Sequence, residues 1–275
     1  MKAGAVRQRG FTLIELSVVV AIVALLLGGL LLTLSASQEI RAYEETNRRM
    51  EQAREALVGF AVQYGRLPCP ATAASNGREA FDTGAGGNAT NGLCAVWDGF
   101  FPAAELGLSP ADANGYLIDA WGTSADQKNR IRYSVSDANT QSFTKTNGIR
   151  TVMLADPTVA GATVEKPRLV IICDSQANVT APAGTPPREG CSSVKFEAAA
   201  AIYSWGKNAS DAFALGAGCG TGLANLDERE NCDSDFMLIA RPTSSTPNVS
   251  DIYDDVVVWL PVPILYNRLI AAGAI

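Results

Sequence analysis

The sequence predicts an α+β protein, with one long N-terminal α-helix packed on a C-terminal antiparallel β-sheet whose loops are stapled by disulfides. Three observations predict it. No proline interrupts residues 11–64, and the first part of that stretch, Phe11 to Leu34, holds a single charge, Glu15. Beyond residue 65, short β-type runs alternate with turn clusters, the order expected when a sheet packs on a preceding helix. All six cysteines, at 69, 94, 173, 191, 219 and 232, lie downstream of the apolar run.

The apolar run comes first. A helix needs about 20 such residues to cross the hydrocarbon core of a bilayer. Lys2, Arg7 and Arg9 precede the run and Glu39, Glu44 and Glu45 follow it, which predicts a single span with the N-terminus inside. A cleaved secretory signal is a second reading, with "SAS" at Ser35–Ser37 as the cut site. A plain signal anchor is a third. Neither explains Glu15, because a carboxylate at the centre of a membrane helix costs about 2.5–3.5 kcal/mol by insertion scales.

From residue 35 to 64 the pattern turns amphipathic. Ile40, Tyr43, Met50, Ala53, Leu57, Phe60 and Tyr64 recur at helical spacing, with Arg and Glu on the other faces. This stripe is the expected seam for the globular part, and Pro68 and Pro70 close the helix. Gly28-Gly29 reads either as a soft point or as a site of close helix contact.

Residues 65–275 form the expected globular domain. Its candidate strands are 130–136, 149–155, 168–173, 198–205, 235–240 and 256–260, and residues 262–272 read as a short terminal helix or an apolar tail. Thr72–Gly92 and Thr180–Cys191 read as surface loops. Asp227, Glu228, Glu230, Asp233 and Asp235 form an acidic run that reads as a solvated loop.

Composition excludes several functions. There is no histidine, which removes Ser-His-Asp and Cys-His catalysis and the His-containing zinc sites. No Walker loop, Rossmann glycine motif or zincin helix is present. Net charge is −6 and moves to −9 without Lys2, Arg7 and Arg9, so no nucleic acid partner is expected. An even cysteine count without CxxC fits disulfides in an oxidising compartment such as the periplasm. Six cysteines allow 15 pairings; nearest-neighbour closure predicts Cys69–Cys94, Cys173–Cys191 and Cys219–Cys232.

The string "RGFTLIELSVVVAIVALLLGG" resembles the signal of type IV pilins and type II secretion pseudopilins. The resemblance implies a leader of residues 1–10, cut by a prepilin peptidase between Gly10 and Phe11, with N-methylation of Phe11. It implies an assembly role for Glu15, facing the N-terminus of a neighbouring subunit as helices pack into a filament. It also implies a pilin-like fold: a transmembrane and assembly helix (11–34), its amphipathic continuation (35–64) and a periplasmic domain (65–275). Sibling pilin or pseudopilin subunits and an inner-membrane assembly platform would be its partners.

Further strings resemble the major pseudopilin. "DAWGT" (Asp119–Thr123) looks like a turn feeding the first sheet strand. "IYSWGKNASD" (Ile202–Asp211) and "YDDVVVW" (Tyr253–Trp259) resemble the segments whose acids and loop oxygens hold calcium in that protein. By this resemblance Asp211, Asp254 and Asp255 are the calcium candidates, and no other cofactor is implied. About forty residues, with Cys219 and Cys232 among them, separate the two strings here, where the family loop is compact. A disulfide in place of the ion is the other reading.

The expected function is a structural subunit, minor or unusual given the large body, of a pilus or a secretion pseudopilus. The alternative is a filament-borne adhesin or substrate-recognition module using the Cys-closed loops. Catalysis is not expected. The residues do not choose between pilus and pseudopilus.

Overall fold

A computed structural model describes residues 12–122, 127–137, 141–150, 169–176, 179–180, 190–191, 194–209, 225–233, 236–244 and 252–274, with backbone alone at 27–36, 127, 179–180, 190–191 and 194–195. The chain divides into two units, 1–42 and 43–275.

Helix α1 runs from Leu13 to Tyr64. Within the first unit its large apolar side chains, among them Leu13, Ile14, Val18, Ile22 and Leu25, are exposed. Among the described residues, which leave out the side chains at 27–36, no helix is long and apolar enough to cross a membrane. The helix ends where Gly65 takes a left-handed φ of +65° and donates its N–H to the Ala61 carbonyl at 2.8 Å. Glycine is favoured there because a Cβ penalises that conformation. The stop therefore precedes Pro68.

In the second unit the elements are β1 (Asp98–Phe100), α2 (Ala103–Leu106), β2 (Arg132–Val135), β3 (Val170–Cys173), β4 (Val179–Thr180), β5 (Gly190–Cys191), β6 (Val194–Ser204), α3 (Leu226–Glu230), β7 (Met237–Ile239), β8 (Val256–Pro261) and α4 (Val262–Ala271). The main sheet runs β1-β2-β6-β3-β7, with β8 also paired to β6. Residues 200–203 of β6 face both β2 and β8, so those two strands lie on opposite sides of it. β4 and β5 form a separate small ribbon.

The sheet is mixed, where an antiparallel one was expected. β3 and β7 are parallel, Ile171 opposite Met237 and Cys173 opposite Ile239. The reason is topological: the chain leaves β3, passes through β6 and α3, and returns beside β3 in the same direction. Strand β1 was not anticipated, since three residues are too few to show a period. Ile149 and Arg150, the start of the candidate strand 149–155, are helical; the rest of that candidate lies outside the described residues. The acidic run expected as a solvated loop contains a buried helical turn, α3, with Asp227, Glu228 and Glu230 each 9% exposed or less.

Two apolar layers sandwich the sheet. On one face Met50, Ala53, Leu57, Val58 and Ala61 of α1 pack with Ile202, Val256, Val258, Leu260 and, from α4, Leu265 and Leu269. Alternation along β8 sends Val256, Val258 and Leu260 to this face. The other face holds Val170, Ile172, Ala201, Tyr203, Trp205 and Leu238. The amphipathic stripe of α1 is the seam at its centre, but Ile40 and Tyr64 are 59% and 47% exposed.

The turn at Asp119 ties the helix to the sheet. Arg49 donates to the carbonyls of Ile118 and Asp119, and the Ala120 N–H donates to Thr46 Oγ1. The Asp119 carboxylate accepts from the N–H groups of Trp121 and Gly122, from Asn129 Nδ2 and from Ser204 Oγ. The Asp-x-Trp-Gly string is thus a side-chain-closed turn. It leads into β2, the second strand of the sheet in chain order rather than the first.

Cys69 and Cys94 are joined by a disulfide, one of the three pairs expected. Their loop is also held by hydrogen bonds, with the Thr144 and Thr146 hydroxyls donating to the carbonyls of Gly92 and Ala89. Cys173 and Cys232 are disulfide-bonded as well. The side chains of Cys191 and Cys219, and with them the two pairings expected there, lie outside the described residues.

Candidate functional site

Two sites carry the residues singled out in the sequence. The first is the start of α1. Gly10 and Phe11 lie outside the described residues, but Glu15 does not. Its Oε2 accepts from the Thr12 N–H at 2.9 Å and from Thr12 Oγ1 at 2.8 Å, while the Glu15 N–H reaches Thr12 Oγ1 at 3.3 Å. This is a reciprocal capping box, in which a Thr and the Glu three residues on satisfy donors that a helix start leaves orphaned. The Thr-x-x-Glu spacing is itself a sequence signal of this cap. Within one chain, Glu15 is held by its own helix start through Oε2, and no described residue hydrogen-bonds to Oε1.

The second site is acidic. Ligand oxygens of Glu228, Asp254 and Asp255 all lie within 4.8 Å of one another. Asp254 and Asp255 sit at the entry to β8, Glu228 on α3. Asp211, the third residue expected, lies outside the described residues. Its charge alone places Glu228 in a solvated loop, because its approach to Asp254, 26 positions away, depends on how α3 packs.

Neighbouring donors hold each carboxylate. Glu228 Oε1 accepts the Asp254 N–H at 3.0 Å and Oε2 accepts Asn208 Nδ2 at 2.8 Å. Asp255 Oδ2 accepts Asn231 Nδ2 at 2.8 Å. The backbone N–H groups of Asn208 and Lys207 and the Lys207 charge favour the ionised form of Asp254. Its Oδ1 is buried and has no hydrogen-bond partner among the described residues.

Gly206 makes this approach possible. Its φ is +64°, and a Cβ there would run into the Asp254 carboxylate. Burial, followed by the charge of Glu228, pushes the Asp254 carboxyl up to about 7. The same two causes raise Asp255 well above the usual carboxylate range. Burial raises Glu228 also.

This donor set fits a hard divalent cation. Calcium takes oxygen ligands at about 2.3–2.6 Å, so two of them can stand up to about 5 Å apart across the ion. The spread of 4.8 Å falls inside that limit. The buried, unpartnered Asp254 Oδ1 is an acceptor that such an ion would satisfy.

Asn231 organises the surroundings. Its Oδ1 accepts the Ile239 N–H at 2.6 Å and its Nδ2 donates to the Ile239 carbonyl at 3.1 Å. It thereby occupies the outer edge of β7 as another strand would. Arg241 pairs with Asp227 at 2.6 Å and lies 4.3 Å over the Tyr253 ring.

With this geometry established, comparison places the first site. Residues 6–31 match the family described as the prokaryotic N-terminal methylation motif, so the chain carries the prepilin-type signal of type IV pilins and pseudopilins. No curated protein and no solved structure matches the chain.

Proposed function

We propose that the chain is a structural subunit, minor or unusual in type, of a type IV pilus or a type II secretion pseudopilus. The observation that carries this reading is the methylation motif over residues 6–31, set at the head of a helix whose first turn presents Glu15. The motif supports a pilin-like or pseudopilin subunit processed by a prepilin peptidase. In our reading the cut falls between Gly10 and Phe11, and Phe11 becomes the methylated N-terminus.

Residues 11–34 then hold the precursor in the inner membrane as a single span, N-terminus inside and body in the periplasm. Assembly transfers α1 from lipid into a bundle of sibling helices. A buried carboxylate is costly alone and stabilised when paired and hydrogen-bonded. Glu15 has one oxygen on its own Thr12, and the other would meet a neighbour's N-terminal amine. Register between subunits follows from that pairing. The role is one of assembly, and no catalytic step is assigned.

We assign Asp254 and Asp255, by resemblance to the major pseudopilin, and Glu228, by the closeness of its carboxylate to theirs, to a structural calcium ion that would clamp α3 to the start of β8.

Intact mass of the protein from its native envelope, without reduction, tests the main reading. A chain starting at methylated Phe11 and short of six hydrogens is the expected result. A chain starting near Gln38, or an uncut one, overturns it.

A further inference from the structure

Three strands end the sheet. Beside β1, Ala71 and Phe100 exchange both backbone hydrogen bonds at 2.8 Å. Beside β7, the Asn231 amide takes the Ile239 N–H and carbonyl. The third, β8, pairs with β6 on one side, and among the described residues nothing hydrogen-bonds to its other edge. Its sequence, Val-Val-Val-Trp-Leu-Pro, has no charge to discourage a partner strand. Proline at Pro261 suits an edge, where a missing donor is tolerated. Proteins block long apolar edges, because unpaired N–H and carbonyl groups template pairing with another chain. Among the described residues two edges are blocked and the most apolar one is not.

We propose that this edge pairs with β8 of a second copy of the chain, antiparallel about a two-fold axis at Val258. Such an interface is isologous, so it asks the strand to complement itself. Val258 then faces Val258, Val256 faces Leu260, and Val257 faces Trp259. No charge opposes another. Trp259, which lies 5.1 Å from the half-exposed Phe196 ring, gains the partner's Val257 as cover on its open side. The register also brings Asp254 of each copy beside Val262 of the other. Val262 opens α4, whose N-terminus has no side-chain cap. Helix N-termini carry partial positive charge, so an acidic cluster and an uncapped helix start complement each other across the axis. The pairing does not depend on the filament reading.

The test is disulfide trapping of the full-length chain in its native membrane. Among the described residues no cysteine is free, and the unsubstituted chain oxidised in parallel shows which crosslinks come from the introduced one. Val258→Cys should give a self-crosslinked dimer on mild oxidation, since paired residues on antiparallel strands lie within disulfide reach. Val256→Cys alone should give none, but should crosslink to co-expressed Leu260→Cys. Adding Val257→Lys should lower the Val258→Cys dimer at least tenfold. A photoreactive residue at 257 gives a second readout that leaves the native disulfides alone, with the adduct expected on the 257–261 region of another copy. Monomer alone in both assays overturns the proposal. So does an adduct to a different protein, which would show that the edge serves a foreign strand.

Discussion

The Tyr203 hydroxyl donates to the Asp98 carboxylate, 2.8 Å from Oδ1 and 2.7 Å from Oδ2, and so links β6 to β1 across the intervening β2. Arg132 of β2 completes the group, its Nε donating to the Tyr203 oxygen at 3.1 Å and its Nη2 to Asp98 Oδ1 at 3.3 Å. The guanidinium lies 4.7 Å over the Trp205 ring. Tyr203→Phe removes a donor from a buried carboxylate and should cost about 1–3 kcal/mol. Thermal unfolding of the detergent-solubilised full-length chain checks this, at about 2–4 °C per kcal/mol for a domain of this size.

The same carboxylate sets a pH dependence. Burial raises the Asp98 carboxyl above its ordinary value, against the pull of Arg132 and Tyr203. A carboxyl raised on folding binds its proton more tightly in the native state. Its contribution to stability is therefore full below the unfolded value of about 3.9 and declines as pH rises toward the folded one. Asp119 shifts the same way, for the same first cause. Unfolding free energy measured from pH 4 to 7 should fall less steeply with pH in Asp98→Asn than in the parent. An unchanged slope would refute the assignment.

Two glycines should respond in opposite directions. Gly59 sits exposed on α1 with nothing within 4 Å of where a Cβ would stand, so Gly59→Ala should stabilise by about 1 kcal/mol through helix propensity. Gly206→Ala meets a positive φ and the Asp254 carboxylate, and should destabilise by at least about 1–2 kcal/mol. Melting curves of both variants decide it.

Calcium should raise the melting temperature if Glu228, Asp254 and Asp255 hold it. At 100 times the dissociation constant the gain is about 2.7 kcal/mol. Chelator should reverse the shift and Glu228→Gln should diminish it. Equal melting with calcium and with chelator would remove the ion from the account.

Glu15→Ala should leave processing at Gly10–Phe11 intact and abolish filament incorporation. Cleavage is followed by the mass of the chain, and incorporation by its presence in sheared filaments. Filaments formed at parental yield would show that Glu15 serves only its own helix as a cap.

Much of the architecture was legible in the residue order. The helix was readable because its apolar stripe repeats every three or four residues over many turns, and strands β2, β3, β6, β7 and β8 because each is a β-branched, aromatic or alanine-rich run set between turns. Strand β1 was not, being three residues whose pairing with β2 depends on the approach of distant chain. The acidic site was half legible: Asp254 and Asp255 are adjacent, but the run holding Glu228 looked like a solvated loop, because charge predicts exposure until a fold supplies partners.

The sequence by itself determined the prepilin-type signal, the Thr12–Glu15 cap, the long helix and the absence of histidine chemistry, since each depends on residue identities or on neighbours close in the chain. Only the tertiary structure decided the parallel pairing of β3 with β7, the meeting of Glu228 with Asp254 and Asp255, and the β8 edge that no described residue pairs. Those depend on which segments the packing of the body brings together, and contacts across tens of residues leave no local period to read.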